Sequence, residues 1–305
     1  FSIYVNDFPD CITQGGLHLY ADDTTASVIG DNPDDVTTKL NCLFKEICAF
    51  CRLNKLTLHS GKSEVMIIQR DQLVGPLLPV THGGTQIDYT MKTKLVGVVI
   101  DNKLTWRDQL EKTHKSLSSQ YRVLKKMRYL STKLLEAFYF RTVIPQITYC
   151  ISVWGNCSVA KLYEIENLHI KVGRFIHRVL QNILESEVLS YIKWQDLGYI
   201  YKRRLAIEVF KVKQGLNHRL MPFFTFTESE RRGVLRKVKR KKTRRNSFSC
   251  RGIVVWNSLD RRTRNLEKLD AFKVALNRNK TSLNKITFNK GTTVNLNKDI
   301  NFLYY

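Results

Sequence analysis

The chain of 305 residues has no apolar run approaching the roughly 20 residues that a membrane-spanning helix needs. No membrane partner is therefore expected. No secretory signal is expected, and the chain's seven cysteines are unevenly spaced, so they read as reduced thiols of an intracellular protein. A structural zinc site draws four ligands from paired knuckles. Cys48-Ala49-Phe50-Cys51 is one CxxC with no second CxxC, CxxH or HxxxH nearby, and the seven histidines show no ligand spacing. Both cysteines fall in an amphipathic stretch, where they read as small buried hydrophobes. There is no internal repeat.

What is present is an unequal distribution of charge. The net charge is +23, yet residues 1–100 hold 8 Lys+Arg against 11 Asp+Glu, while residues 202–280 hold 24 against 6. Such asymmetry points to chemistry at one end and polyanion binding at the other. Hydrophobic content of 43% with 10% aromatics supports a buried core rather than wholesale disorder.

The stretch Gly16–Val28 reads GLHLYADDTTASV. Leu17, Leu19 and Ala21 alternate with His18 and Tyr20, and Thr24, Thr25 and Val28 are β-branched, so two strands flank Asp22-Asp23 in a predicted hairpin. Adjacent carboxylates repel unless water screens them or a cation lies between them. A solvated Asp-Asp turn and half of a divalent-metal site both satisfy that requirement.

Around this hairpin the sequence alternates between strand and helix signals. Phe1–Pro9 reads as the end of a buried helix stopped by Pro9. Asp31-Asn32-Pro33-Asp34-Asp35 is a helix start with a cap, a first-turn proline and acids at the positive end of the dipole. Val36, Leu40, Leu43, Ile47 and Phe50 or Cys51 then predict an amphipathic helix of about 20 residues. Strands are expected over Glu64–Ile68, Gln86–Tyr89 and Lys94–Ile100, with a loop over 71–84. Residues 106–130, 132–150, 158–181 and 196–217 read as helices. Residues 228–247 read as a solvated basic linker, 268–279 as one more helix, and the tail from Thr281 has little to pack.

Arg231–Arg245 places ten cations in fifteen residues with no acid. Phosphate contact, with salt-dependent and largely sequence-independent affinity, is its natural use, through Arg236, Lys237, Lys239, Arg240, Lys241, Lys242, Arg244 and Arg245. Nuclear targeting would use the same residues. Lys115, Arg122, Lys125, Lys126 and Arg128 fall on a predicted helix and either line a nucleic-acid groove or form an ordinary exposed face. Gly97, between β-branched residues, either admits a nucleic-acid backbone or marks a β-bulge. Trp106, Trp154, Trp194 and Trp256 read as core anchors rather than base-stacking platforms.

Several of these pieces occur together, and in order, in one family. Tyr20-Ala21-Asp22-Asp23, preceded by Ile3-Tyr4-Val5-Asn6-Asp7-Phe8-Pro9, resembles the palm of reverse transcriptases from non-LTR retrotransposons of the jockey and CR1 type. Asn54-Lys55-Leu56 with Gly61-Lys62-Ser63 is similar to the segment after the long palm helix. Leu95–Asp101 followed by Leu104-Thr105-Trp106 is similar to the primer-grip strand entering the thumb. Pro145–Cys150, Val153-Trp154-Gly155, Phe248, Arg251-Gly252 and Trp256-Asn257-Ser258-Leu259 match the downstream helical region and ending. The likeness runs from Phe1 to about Leu276.

The resemblance implies an α+β fold in three parts. These are a partial palm of antiparallel strands plus a helix (1–104), a helical thumb and connection (105–227), and a basic linker with a partly disordered C-terminal segment (228–305). It implies an RNA-directed DNA polymerase that adds dNTPs to a DNA primer on an RNA template, with Mg²⁺ in a two-metal site. Asp22 would be the principal metal ligand and Asp23 the peripheral one. Tyr20 would lie under the primer terminus, beside a small Ala21, and Lys62 would protonate departing pyrophosphate, a solvated turn lysine being the alternative. The family's first catalytic aspartate, on an earlier palm strand, and its fingers have no counterpart here. The chain therefore reads as a fragment with an incomplete metal site, inactive alone and expected in nucleus and cytoplasm. The competing expectation is a decayed or domesticated remnant that binds nucleic acid and catalyses nothing. A group II intron maturase also combines such a palm with a basic tail, but the Trp-Asn-Ser-Leu ending speaks against it.

Overall fold

The computed structural model describes residues 1–68, 78–82, 85–224, 248–286 and 301–304. The chain divides into two units, Phe1–Asp108 with Val294–Tyr305, and Gln109–Thr293. The architecture is mixed α and β, as expected, with the strands in the first unit and helices throughout the second.

The first unit opens with turns and a 3-10 helix, Phe8–Cys11. Pro9 lies within its first turn, so proline begins this short helix instead of ending a longer one. Phe8 is buried and stacks on Phe50, ring centroids 4.1 Å apart. Strands β1 (Gly16–Tyr20) and β2 (Asp23–Val28) form the expected antiparallel hairpin, with Leu17 opposite Ala26 and Tyr20 opposite Asp23. Helix α1 (Pro33–Leu53) starts where the capping pattern places it: the Asn32 side chain accepts from the Asp35 amide at 2.8 Å. Its buried stripe is Val36, Leu40, Leu43, Phe44, Ile47 and Phe50, packed under Ala26, Val28 and Val65. Cys48 and Cys51 lie at the edge of this stripe, and burial raises both thiols.

Strand β3 (Glu64–Met66) follows a 3-10 turn at Ser60–Lys62. Within the segment read as a loop over 71–84, β4 (Val80–His82) pairs antiparallel with β5 (Thr85–Tyr89). The strand expected over Lys94–Ile100 is instead a hairpin of β6 (Lys92–Leu95) and β7 (Val98–Asp101), because the chain reverses at Val96-Gly97, where φ is 41° and 83°. Gly97 is therefore a turn glycine and not a bulge inside a strand.

In the main sheet the order is β1-β2-β8-β3-β5-β4, with β8 formed by Asn301–Tyr304. The segment expected to have little to pack thus contributes a strand to the centre of the sheet. Below β7, Asp101 organises the exit towards helix. Its carboxylate accepts from the amides of Lys103, Thr105 and Trp106 at 3.1, 2.9 and 2.9 Å and from the Thr105 hydroxyl at 3.2 Å. These bonds hold Leu104 and Trp106 in the left-handed region, at φ 50° and 62°.

In the second unit, α2 (Arg107–Lys126) precedes α3 (Thr132–Phe138), and a π turn at Tyr139–Val143 carries the chain into α4 (Ile144–Thr148). Helices α5 (Ile151–Trp154), α6 (Val159–His177) and α7 (Glu185–Tyr191) follow. Only seven residues long, α7 offers too few turns for its period to stand out in the sequence. Helix α8 (Leu197–Lys213) is buried nearly all round, through Tyr199, Tyr201, Leu205, Ile207, Phe210 and Val212 among others, and is the hub of the unit.

Against α8 pack α9 (Phe248–Ser258), α11 (Leu269–Arg278) and α12 (Lys280–Asn284), with α10 (Arg261–Arg264) beside α11. Phe272 stacks on Phe210 at 4.3 Å and on Trp256 at 5.7 Å. Residues 248–286 are thus part of the helical core, α11 falling where a helix was expected over 268–279, and Leu283, beyond Thr281, is fully buried. All four tryptophans are buried, as core anchors should be. Among the described residues, no helix is long and apolar enough to cross a membrane.

Candidate functional site

Beside the β1–β2 hairpin the first unit has an open cleft of about 800 Å³. Its walls include Leu19, Ala21, Asp22 and Asp23 from the hairpin, His59, Lys62 and Ser63 from the 3-10 turn, and Lys92, Lys94 and Val96 from the β6–β7 hairpin. The hairpin fixes the acids by local means. Tyr20 pairs with Asp23, so Ala21-Asp22 form a two-residue turn, and Ala21 adopts φ 54°. A non-glycine residue in that conformation is strained, and its small side chain limits the penalty. Asp22 and Asp23 are both exposed at this tip, facing the cleft.

The structure therefore brings together Asp22, Asp23 and Lys62, which the sequence singled out. It adds Lys92 and Lys94, which sequence reading passed over. Their signal was present in the period-two spacing on β6, which places two like charges on one face of a strand. Tyr20 belongs to the same hairpin but faces away from Leu19; it is 64% exposed and is not one of the cleft walls. Gly97 occupies the β6–β7 turn, while its neighbour Val96 lines the cleft. A β-branched residue at φ 41° is an uncommon strain and is placed here at the rim of the charged cleft.

Chemically, the cleft is lined by two adjacent carboxylates and three lysines, of which the Lys92 ammonium bonds the Asp108 carboxylate at 3.5 Å. Hard oxygen donors suit Mg²⁺, which keeps several waters as its remaining ligands. The ammonium groups suit phosphate oxygens. Two carboxylates at one hairpin tip are a sparse set for two metal ions, and among the described residues no group of three or more His, Cys, Asp or Glu is arranged to hold a metal.

Lys115, Arg122, Lys125 and Lys126 lie exposed on α2 of the second unit, with Lys125 over the Tyr121 ring at 4.5 Å. The basic residues Arg236, Lys237, Lys239, Arg240, Lys241, Lys242, Arg244 and Arg245 lie outside the described residues.

A second polar cluster, inside the helical unit, is structural. His169 bonds through Nδ1 to the Tyr139 hydroxyl at 2.6 Å and through Nε2 to the Gln195 carbonyl at 3.0 Å. The carbonyl can only accept, so Nε2 carries the proton and Nδ1 accepts from the tyrosine. Tyr139 also stacks on Trp194 at 4.9 Å, and the Trp194 indole donates to Glu136 at 2.8 Å. Burial lowers His169 to about 4 and raises Glu166 to about 7, the latter opposed by a bond from the Leu197 amide at 2.9 Å. Compared with known protein families, curated proteins and solved structures, the chain matches none.

Proposed function

We propose that this chain is the downstream palm and thumb of a non-LTR retrotransposon reverse transcriptase, an RNA-directed DNA polymerase. The observation that carries the reading is the meeting of Asp22 and Asp23 with Lys62, Lys92 and Lys94 on one cleft. Asp22 and Asp23 would hold Mg²⁺, which when bound lowers the pKa of a primer 3′-hydroxyl and offsets charge on the phosphorus. Ala21 leaves room for the primer end. Lys92 and Lys94 attract the phosphates of an incoming dNTP, and Lys62 is placed to give a proton to departing pyrophosphate. The cations of α2 and of residues 231–245 hold the RNA template and DNA primer by charge.

The sheet offers a place for the carboxylate that two aspartates leave wanting. Between β2 and β3 is a single strand position, and its register runs towards the tip: its occupant faces Thr25, two residues from Asp23. A strand continuing two residues further would put a side chain opposite Asp23, within cross-strand contact.

The test is primer extension on an RNA template by the chain joined to the palm strand and fingers of its own upstream reading frame, with a gel-shift measurement alongside. Extension that falls to background in Asp22→Asn, with duplex binding kept, supports the reading. Equal extension by Asp22→Asn removes Asp22 from catalysis. Binding without extension by the parent leaves a nucleic-acid-binding remnant.

A further inference from the structure

Beside its buried stripe, helix α1 carries a row of a different kind. Lys45, Cys48, Ala49 and Arg52 follow one another at helical spacing and so share one face. Together with Phe44 and Cys51 of the same helix they line a second open hollow, of about 660 Å³. Its other wall is the segment Leu56-Thr57-Leu58 that leaves the helix. A bond from the Leu56 amide to the Cys51 carbonyl, at 2.8 Å, holds that segment against α1.

The residue types explain both the space and its chemistry. A methyl group at Ala49 leaves room between the longer side chains of Lys45 and Arg52, each about one helical turn away. The floor is apolar: Phe44 is buried, and Leu56 and Leu58 are half-buried. Lys45 and Arg52 are exposed at the edge, and no carboxylate is among the described residues that line the hollow. Glu46, next to Lys45, is held instead by the Thr13 amide at 3.0 Å. An apolar floor edged by two cations and no acid favours a ligand with an apolar body and a negative head. The volume lies within the roughly 300–1,000 Å³ of small-molecule sites.

We propose that this hollow binds a small organic anion, its apolar body seated on Phe44, Leu56 and Leu58 and its acidic head between Lys45 and Arg52. The proposal rests on the hollow alone and holds whether or not the chain is a polymerase. Cys51, Leu56, Thr57 and Leu58 also line the cleft of Asp22 and Asp23, so an occupant touches the back of that cleft without entering it. Cys48 and Cys51, both half-buried, are built-in reporters, because a seated ligand covers their thiols.

The test uses anilinonaphthalene sulfonate as the probe, titrated into the full chain by fluorescence. In parallel, N-ethylmaleimide labelling of Cys48 and Cys51 is followed by peptide mass spectrometry, with the exposed Cys11 as reference. The expected result is saturable binding that slows labelling of Cys48 and Cys51 at least fivefold and leaves Cys11 unchanged. Lys45→Glu combined with Arg52→Glu, altered only at exposed positions, binds the probe about tenfold more weakly at low salt. Ala49→Leu, which fills the hollow with a good helix former, removes the protection. Displacement of the probe by decanoate assigns the body as an acyl chain, and displacement by naphthoate assigns it as an aromatic ring. Unprotected Cys48 and Cys51 at saturating probe, equal affinity in the charge-reversed variant, or displacement by neither acid overturns the proposal.

Discussion

Glu166→Gln gives the sharpest test of how the helical unit is held together. In the parent, burial raises Glu166 to about 7 from an unfolded value of 4.5, and lowers His169 to about 4 from 6.5. A raised carboxylate means that the folded state keeps a proton the unfolded chain has lost, so its contribution is greatest below pH 4.5 and disappears as pH rises to 7. A depressed imidazole means that the unfolded chain binds a proton the folded state refuses, so stability is lost as pH falls from 6.5 towards 4. Between pH 4.5 and 6.5 the two slopes have opposite sign and nearly cancel.

Each slope is about 1.4 kcal/mol per pH unit, so the Glu166 contribution spans about 3 kcal/mol, reduced towards 2 because the side chain keeps some contact with water. Glutamine preserves the acceptor for the Leu197 amide and removes the titration. In Glu166→Gln the His169 slope stands alone. Relative to the parent, the variant gains about 2–3 kcal/mol in unfolding free energy between pH 4.5 and 7. Urea unfolding followed by tryptophan fluorescence at half-unit steps of pH measures it, since Trp194 stacks within this cluster. A parent–variant difference independent of pH would refute the assignment of Glu166 as a buried, protonated acid.

Three further outcomes are expected. Ala21→Gly relieves the left-handed strain at the hairpin tip and stabilises the first unit by up to about 1 kcal/mol, visible as a higher denaturation midpoint; a loss of stability would show that the turn is not strained. Asp101→Ala removes an acceptor of four hydrogen bonds and destabilises the first unit by about 2–4 kcal/mol in urea titration, Asp101→Asn recovering part of it. Gly155→Ala brings a methyl group 2.4 Å from the Ile151 carbonyl and 2.5 Å from the Tyr201 ring, and the soluble yield and melting temperature fall accordingly, whereas in Gly61→Ala the added methyl stays 3.4 Å from the His59 ring and is tolerated.

Local signals were legible where the physics is local. The Asn32 cap, the α1 stripe and the β1–β2 alternation each depend on residues within a few positions of one another, and each occurs where the pattern places it. The β6–β7 reversal was hidden because Leu95-Val96-Gly97-Val98-Val99-Ile100 is nearly continuous in β-forming residues. Periodicity cannot distinguish a turn glycine from a bulge inside such a run. Lys92 and Lys94 escaped notice for the same reason: in a strand thought to begin at Lys94, their shared face was not defined.

By itself, the sequence determined that Asp22 and Asp23 sit side by side at a hairpin tip, because strand alternation and turn chemistry act over neighbouring residues, although the turn itself is Ala21-Asp22 and Asp23 begins β2. It also determined the charge asymmetry and the helical character of the downstream region. Only the tertiary structure decided that three lysines from two other elements share the cleft with those acids, and that the far end of the chain fills the centre of the sheet. Both depend on pairing between segments distant in sequence, and backbone hydrogen bonds, being common to all residues, leave no mark in the sequence of which strand will supply them.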